Sequence, residues 1–133
     1  MPRRGNELVV ISWRDIPAQV NARLGGEKRQ VVLARRFQRA IDDAAMVAGK
    51  KTASEYVGEW RRAALEIPAG LDELAAAEEE ARRLDDAFPR ERLQRFVANG
   101  GWDPRGYSAA LALSIAIQIV VAARLLRGRS RSA

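Results

Sequence analysis

The side chains of this chain that could do acid–base or nucleophilic chemistry are those of aspartate, glutamate, lysine, tyrosine and serine, because its 133 residues include no histidine and no cysteine. Imidazole general bases, thiolate nucleophiles, disulfides and Cys/His zinc sites are therefore excluded. No ligand spacing typical of an oxygen-coordinated metal, such as an EF-hand loop, occurs. We expect no catalytic residues, no cofactor and no metal. An enzyme that uses carboxylates or a Lys/Tyr pair is the alternative.

The most distinctive group of side chains lies in residues 11–20, ISWRDIPAQV. In a structural interpretation, the tryptophan covers one end of the core and the proline fixes a turn. In a functional interpretation, Trp13, Arg14, Asp15 and Gln19 form an exposed recognition edge, since Trp and Arg are favoured at binding hot spots. These four residues are the candidate interaction site.

The net charge of +6 raises the question of a nucleic-acid partner. The first 103 residues hold 18 basic and 17 acidic groups, and most of the excess charge lies in the terminal segment. A nucleic-acid surface needs several cations that converge on one face. A nearly neutral body with a basic tail therefore argues against nucleic acid as the partner.

Two short strands are predicted near the amino terminus. Residues 8–13, LVVISW, are rich in β-branched and aromatic side chains, which favours a strand. Pro17 favours a turn or a sheet edge after Asp15, and residues 18–24 can return as a second strand before Gly25 and Gly26. An antiparallel hairpin is the simplest interpretation.

Helices are predicted for most of the next seventy residues. Residues 30–48 have apolar side chains at three- and four-residue intervals and end at Gly49. A capping box, formed by Thr52 and Glu55, predicts the start of a second helix that extends to Ile67. In this helix, Tyr56 and Trp60 would lie on one side. Core packing is favoured over ligand stacking for these two aromatic residues.

Two further helices follow. Residues 71–88 repeat apolar side chains in threes and fours, and their Glu78–Glu80 run precedes two arginines at spacings that allow pairing along the helix. After Pro89, a short helix directs Leu93, Phe96 and Val97 inward and stops at Asn99-Gly100.

The segment 109–123, AALALSIAIQIVVAA, contains no charged residue. A helix packed on this protein or on a partner is favoured because the segment is rich in alanine, while a membrane span through 107–126 and a buried strand are the alternatives. Four arginines follow the segment and argue against simple tail anchoring.

The run ISWRDIPAQV, followed by RRFQRAIDDAAM at 35–46 and YVGEWRR at 56–62, resembles the small bacterial virulence-factor domain that is also found in conserved virulence factor C proteins. The resemblance covers residues 7–100 and leaves a C-terminal extension, 101–133. It implies an accessory domain and supplies no catalytic residues.

We therefore expect an α+β fold, an N-terminal hairpin followed by three or four helices and an apolar C-terminal segment. The expected function is that of a non-catalytic accessory or protein-interaction module, cytoplasmic, with a protein partner, and the resemblance implies a link to virulence or metabolic regulation. A small subunit held at a membrane by its apolar segment is the first alternative.

Overall fold

The structure, a computed structural model, describes residues 6–105, which form four β-strands and four α-helices. In chain order these are β1 Glu7–Trp13, β2 Ile16–Leu24, β3 Glu27–Val32, α1 Arg35–Val47, α2 Ala53–Val57, β4 Trp60–Ala64, α3 Glu73–Ala87 and α4 Arg90–Ala98. The predicted α+β class is confirmed, and so is the presence of four helices. The predicted apolar segment, 109–123, lies outside the described residues.

The predicted hairpin, β1 with β2, forms the centre of a four-stranded antiparallel sheet of order β3-β2-β1-β4. Its turn is at Arg14 and Asp15, and β2 begins at Ile16, two residues earlier than predicted. Pro17 lies inside β2 and pairs with Ser12 where the register between the two strands shifts. Such an irregularity accommodates a proline because the ladder is already interrupted there.

The predicted helix over residues 30–48 starts too early in the sequence. Residues Glu27–Val32 form β3, which pairs with β2 and places Val31 opposite Val20. Helix α1 begins only at Arg35. Leu33 and Phe37, both buried, continue the same four-residue spacing on either side of the boundary. Apolar periodicity alone therefore could not mark the start of this helix.

The predicted second helix is correct at its start and wrong after Val57. Thr52 accepts a hydrogen bond from the Glu55 amide at 3.2 Å, so the cap predicted there is confirmed. Helix α2 then ends, and Trp60–Ala64 become β4, which pairs with β1. The four-residue interval between Tyr56 and Trp60 has the spacing of one face of a helix. In the structure, the two rings instead make an edge-to-face contact across the connection from α2 to β4.

Helices α3 and α4 lie where the sequence predicts them. Asp72 caps α3 by accepting from the Ala75 amide at 2.8 Å, and Glu79 and Glu80 pair with Arg82 and Arg83 on its exposed surface. In α4, the three predicted inward residues, Leu93, Phe96 and Val97, are all buried.

One hydrophobic core joins the helices to the sheet. Phe37 and Ile41 of α1 are 1% and 0% exposed, as predicted for core residues, and Trp60 packs against the same cluster. Helix α3 packs mainly on β2 and β3, and α1 contacts both β2 and α4. In the described span, residues 6–105, no helix has the length and hydropathy needed to cross a membrane.

Candidate functional site

The turn between β1 and β2 is held by backbone groups from two distant parts of the chain. Arg14 has φ 50°, the left-handed region, where a side chain costs about 1–2 kcal/mol. Its amide donates to the Glu59 carbonyl at 3.0 Å, and the Asp15 amide donates to the Gly101 carbonyl at 2.9 Å. These bonds bring the turn, the residue before β4 and the loop after α4 together.

The Arg14 guanidinium lies between these three segments. Arg14 as a whole is only 9% exposed. It donates to the Gly100 carbonyl at 2.9 Å and to the Glu59 carboxylate at 3.3 Å. Its Cζ atom lies 5.2 Å from the Trp13 ring centroid and 4.8 Å from that of Trp102, which are cation–π distances. A buried cation with a carboxylate and a carbonyl as acceptors is a structural group that tolerates little change.

Asp15 fixes the same loop from its other side. This residue is 4% exposed, and its Oδ2 atom accepts from the Asp103 amide at 2.7 Å. Its Oδ1 atom is 3.9 Å from the Arg61 guanidinium of β4. The carboxylate therefore links the turn to residue 103 and to β4, as Arg14 links it to Glu59 and Gly100.

Trp13 forms the inner wall of the site and is completely buried. Its indole N–H donates to the Tyr56 carbonyl at 2.8 Å, and the two rings stack with centroids 5.7 Å apart. A Cβ atom at Gly101, whose φ is 96°, would lie 2.8 Å from the Trp13 ring. Only glycine therefore fits at that position without a shift of the ring or the loop.

Trp102 and Arg61 form the outer layer. Trp102 is partly exposed, and the guanidinium groups of Arg14 and Arg61 both lie over its ring, with Cζ atoms 4.8 and 4.7 Å from the ring centroid. We call the assembly of Arg14, Asp15, Glu59, Arg61 and Trp102 with Trp13 the Arg14 cluster. It combines a buried layer with a partly exposed Trp and Arg surface.

Two carboxylates in or beside the Arg14 cluster have lowered pKa values. Burial raises the pKa of Glu59, but the hydrogen bonds and charges of Arg14 and Lys50 outweigh it and hold that pKa below its ordinary value. Hydrogen bonds and the charge of Arg105 lower the pKa of Asp103 against the opposing effect of burial. Both groups are therefore carboxylates at neutral pH and cannot serve as general acids there.

The structure brings together three of the four candidate interaction residues. Trp13, Arg14 and Asp15 lie in one buried cluster, not on an exposed edge. Gln19 lies farther along β2, where it donates to Asn21 at 3.1 Å and accepts from Gln30 at 2.9 Å. An interaction role for these four residues stays a prediction.

Sequence reasoning missed the residues that complete the cluster. Glu59, Gly100, Gly101 and Asp103 lie 45 to 88 positions beyond the turn residues that they contact, so no local periodicity connects them. The available signal was the string NGGWD at 99–103, in which consecutive glycines precede a tryptophan. Both glycines have positive φ, a backbone conformation that favours glycine. One glycine would be enough to end a helix, so the second indicates a further constraint on the loop. The domain boundary predicted at residue 100 falls between these glycines.

No group of acidic residues in the 6–105 span could hold a metal ion.

Neither the curated proteins nor the solved structures include a match to this chain. The model of the family described as "Virulence factor" matches residues 11–97. That span is more than half of the chain, begins within β1, contains the Trp13-Arg14-Asp15 turn and Glu59, and ends in α4. The chain therefore belongs to the virulence factor family, as the ISWRDIPAQV run predicts.

Proposed function

We propose that this domain is a non-catalytic protein-interaction module, linked to virulence through its family, and that its contact surface is centred on Trp102 and Arg61. The observation that carries the proposal is the partly exposed residue Trp102, whose ring has two guanidinium groups over it at 4.8 and 4.7 Å. Tryptophan and arginine are the residues most enriched among those that dominate binding energies at interfaces.

The buried part of the Arg14 cluster supports this function by fixing the outer part. The Asp15 carboxylate holds the Asp103 amide, and Arg14 holds the Gly100 carbonyl, so both ends of the Trp102 segment are anchored. A side chain that is already fixed loses less conformational entropy when a partner binds. Trp13, Arg14 and Asp15 thus act as positioning residues in this proposal, and Trp102 and Arg61 contact the partner.

The experiment is affinity purification with the full chain, followed by binding measurements with each purified partner. Trp102→Ala and Arg61→Ala should each weaken binding of the same partner at least tenfold, the loss typical of a dominant interface residue. Met46→Ala is the matched control, since Met46 is a large apolar residue that is 78% exposed on α1. A partner that binds all three variants as tightly as the parent chain would contradict the proposal.

A groove between α1 and α2 gives the enzyme alternative its best support. Asp42, Lys50, Lys51 and Tyr56 line a groove of about 510 Å³ and supply a carboxylate, amines and a phenol. Three of these groups already have partners: Gln38 donates to Asp42 at 2.9 Å and to the Tyr56 hydroxyl at 3.4 Å, and Lys50 lies 3.4 Å from Glu59. We rank catalysis below interaction for that reason. A turnover that Tyr56→Phe and Lys50→Ala abolish would reverse the order.

The membrane alternative depends on residues 107–126, which lie outside the described span. Carbonate extraction of cell membranes tests it directly. A chain that stays in the membrane pellet after carbonate treatment, while a chain truncated at Gly106 does not, would favour a membrane-held subunit over the proposed module.

A further inference from the structure

A groove of about 290 Å³ between α1 and α4 gathers four arginines at one surface. Its lining residues are Arg35, Arg36, Arg39, Ala40 and Asp43 from α1, and Arg90, Leu93 and Gln94 from α4. The groove shares no residue with the Arg14 cluster, which includes the proposed contact surface of Trp102 and Arg61. Its high content of guanidinium groups requires an explanation of its own.

Only one of the four arginines is used by the described fold. Arg36 donates to the carbonyls of Asp85 and Phe88 at 2.7 and 3.2 Å, and it pairs with the Asp85 carboxylate at 3.0 Å. The side chains of Arg35, Arg39 and Arg90 make no hydrogen bond or ion pair with any residue in the 6–105 span. Three cations therefore face one concave surface with Asp43 as the only acidic residue of its lining.

Two of these arginines, Arg35 and Arg90, stand at the start of a helix, where a positive charge does not help it. Arg35 is the first residue of α1, whose first turn contains no acidic residue and whose N-cap, Ala34, offers no side-chain acceptor. Arg90 is the first residue of α4, where Glu91 in the same turn offsets its charge. Positive charges at helix amino termini oppose the helix dipole and weaken the helix. Arg35 therefore breaks a local rule of stability without compensation in its own turn, as residues at functional sites do.

We propose that the α1–α4 groove is a binding site for a phosphate monoester. Three unpaired guanidinium groups match the three free oxygens of a monoester, and planar Arg forks suit phosphate geometry. Three cations and Asp43 leave two positive charges, which a phosphate dianion neutralises. The side chains of Ala40 and Leu93 provide an apolar floor against which the organic part of the ester can lie. This site is separate from the proposed contact surface of Trp102 and Arg61, and it adds a small anionic ligand to the proposed function.

Calorimetric titration of the full chain with four small probes tests the ligand class. Phenyl phosphate should bind at least tenfold more tightly than phenyl sulfate or benzoate, because each of these carries one negative charge. It should also bind more tightly than inorganic phosphate, which lacks a group for the apolar floor. Affinity for phenyl phosphate should fall as the pH drops below about 6, where a phosphate monoester loses its second charge. Equal binding of phenyl sulfate and phenyl phosphate would overturn the proposal.

Substitutions test the location. Arg35→Gln, Arg39→Gln and Arg90→Gln should each weaken phenyl phosphate binding about tenfold or more, while Arg23→Gln on β2, the matched control for lost charge, should leave it unchanged. Thermal unfolding of each variant, without ligand, should occur at or above the temperature of the parent chain, which separates lost binding from lost folding. The proposal fails if phenyl phosphate does not bind saturably at millimolar concentration, or if Arg23→Gln weakens binding as much as Arg35→Gln does.

Discussion

The Arg14 cluster and the α1–α4 groove use the same type of side chain in opposite ways. Arg14 is buried, donates to Gly100 and Glu59, and stacks on two tryptophan rings. Arg35, Arg39 and Arg90 are exposed and have no partner in the described span. An arginine that donates hydrogen bonds to several acceptors within the fold contributes to stability. We attribute to ligand binding those arginines that converge on one groove without such acceptors. Counts of arginine in a sequence cannot distinguish the two.

The largest difference should appear when the two kinds of arginine are truncated. Arg14→Ala should lower the free energy of unfolding by about 3 kcal/mol, because it removes one partner of a buried ion pair and leaves the Gly100 carbonyl without its donor. Arg39→Ala should change it by less than about 0.5 kcal/mol, the usual range for surface substitutions. Urea denaturation of the full chain measures both.

A third variant separates charge from backbone conformation at the same position. Arg14→Gly also removes the guanidinium but relieves the left-handed backbone, so it should be more stable than Arg14→Ala by about 1 kcal/mol. Similar free energies of unfolding for Arg14→Ala and Arg39→Ala would mean that the buried contacts of Arg14 contribute little.

The loop that closes the Arg14 cluster should be the next most sensitive position. Gly101→Ala places a Cβ atom 2.8 Å from the Trp13 ring at a residue with φ 96°, and it should destabilise the chain by about 1–3 kcal/mol. Gly26→Ala is the matched control, since a Cβ atom there would have no other atom within 4 Å and the φ of Gly26 is not positive. Thermal unfolding of the two variants in parallel tests this, and equal melting temperatures would contradict the tight fit at Gly101.

Acidification should weaken the Arg14 cluster by a smaller amount. The folded-state pKa values of Glu59 and Asp103 are lowered, so their contribution to stability is complete above the unfolded-state values of about 4.3 and 3.9. It is lost as the pH falls from there through the folded-state pKa values. Urea denaturation between pH 7 and pH 3 measures the loss, and Glu59→Gln should reduce its dependence on pH. An unchanged pH dependence in that variant would exclude Glu59 as a source.

The smallest change in the free energy of unfolding should come from a substitution in the α1–α4 groove. This change should be a stabilisation, whereas the substitutions in the Arg14 cluster destabilise the chain. Arg35→Gln removes a positive charge from the start of α1 and should raise the free energy of unfolding by a few tenths of a kcal/mol. Urea denaturation at low ionic strength is the appropriate measurement, because salt screens this interaction. A clear loss of stability would show that Arg35 serves the fold, and would remove the contrast between the two regions.

The elements that sequence reasoning predicts well are those with local signals. Helix α3 has a regular apolar repeat, and α4 follows Pro89, so both are predicted with nearly correct bounds. The β1–β2 hairpin is recognisable from its β-branched residues. In each case the information lies within a few residues of the element.

The elements that sequence reasoning misses depend on distant partners. Strand β4 exists because Trp60–Ala64 pair with β1, about fifty residues away, and β3 because it extends the sheet beyond β2. The structural interpretation of the sequence places Trp13 against the core, but the burial of Arg14 and Asp15 could not be predicted, since it depends on Glu59 and the 100–103 loop. Local spacing does not show which remote segment will cover a turn.

The bond from Arg14 to Gly100 spans 86 positions of the chain, which has a consequence for synthesis on the ribosome. At about 5–20 residues per second, translation adds Gly100 roughly 4–17 s after Arg14. Throughout that interval the nascent hairpin can form, yet its guanidinium and the indole of Trp13 lack the loop that later encloses them. The amino-terminal half of the chain therefore waits for nearly the last described residues before its turn is complete, and a ribosome that stalls before codon 100 would leave this tryptophan and arginine accessible to chaperones.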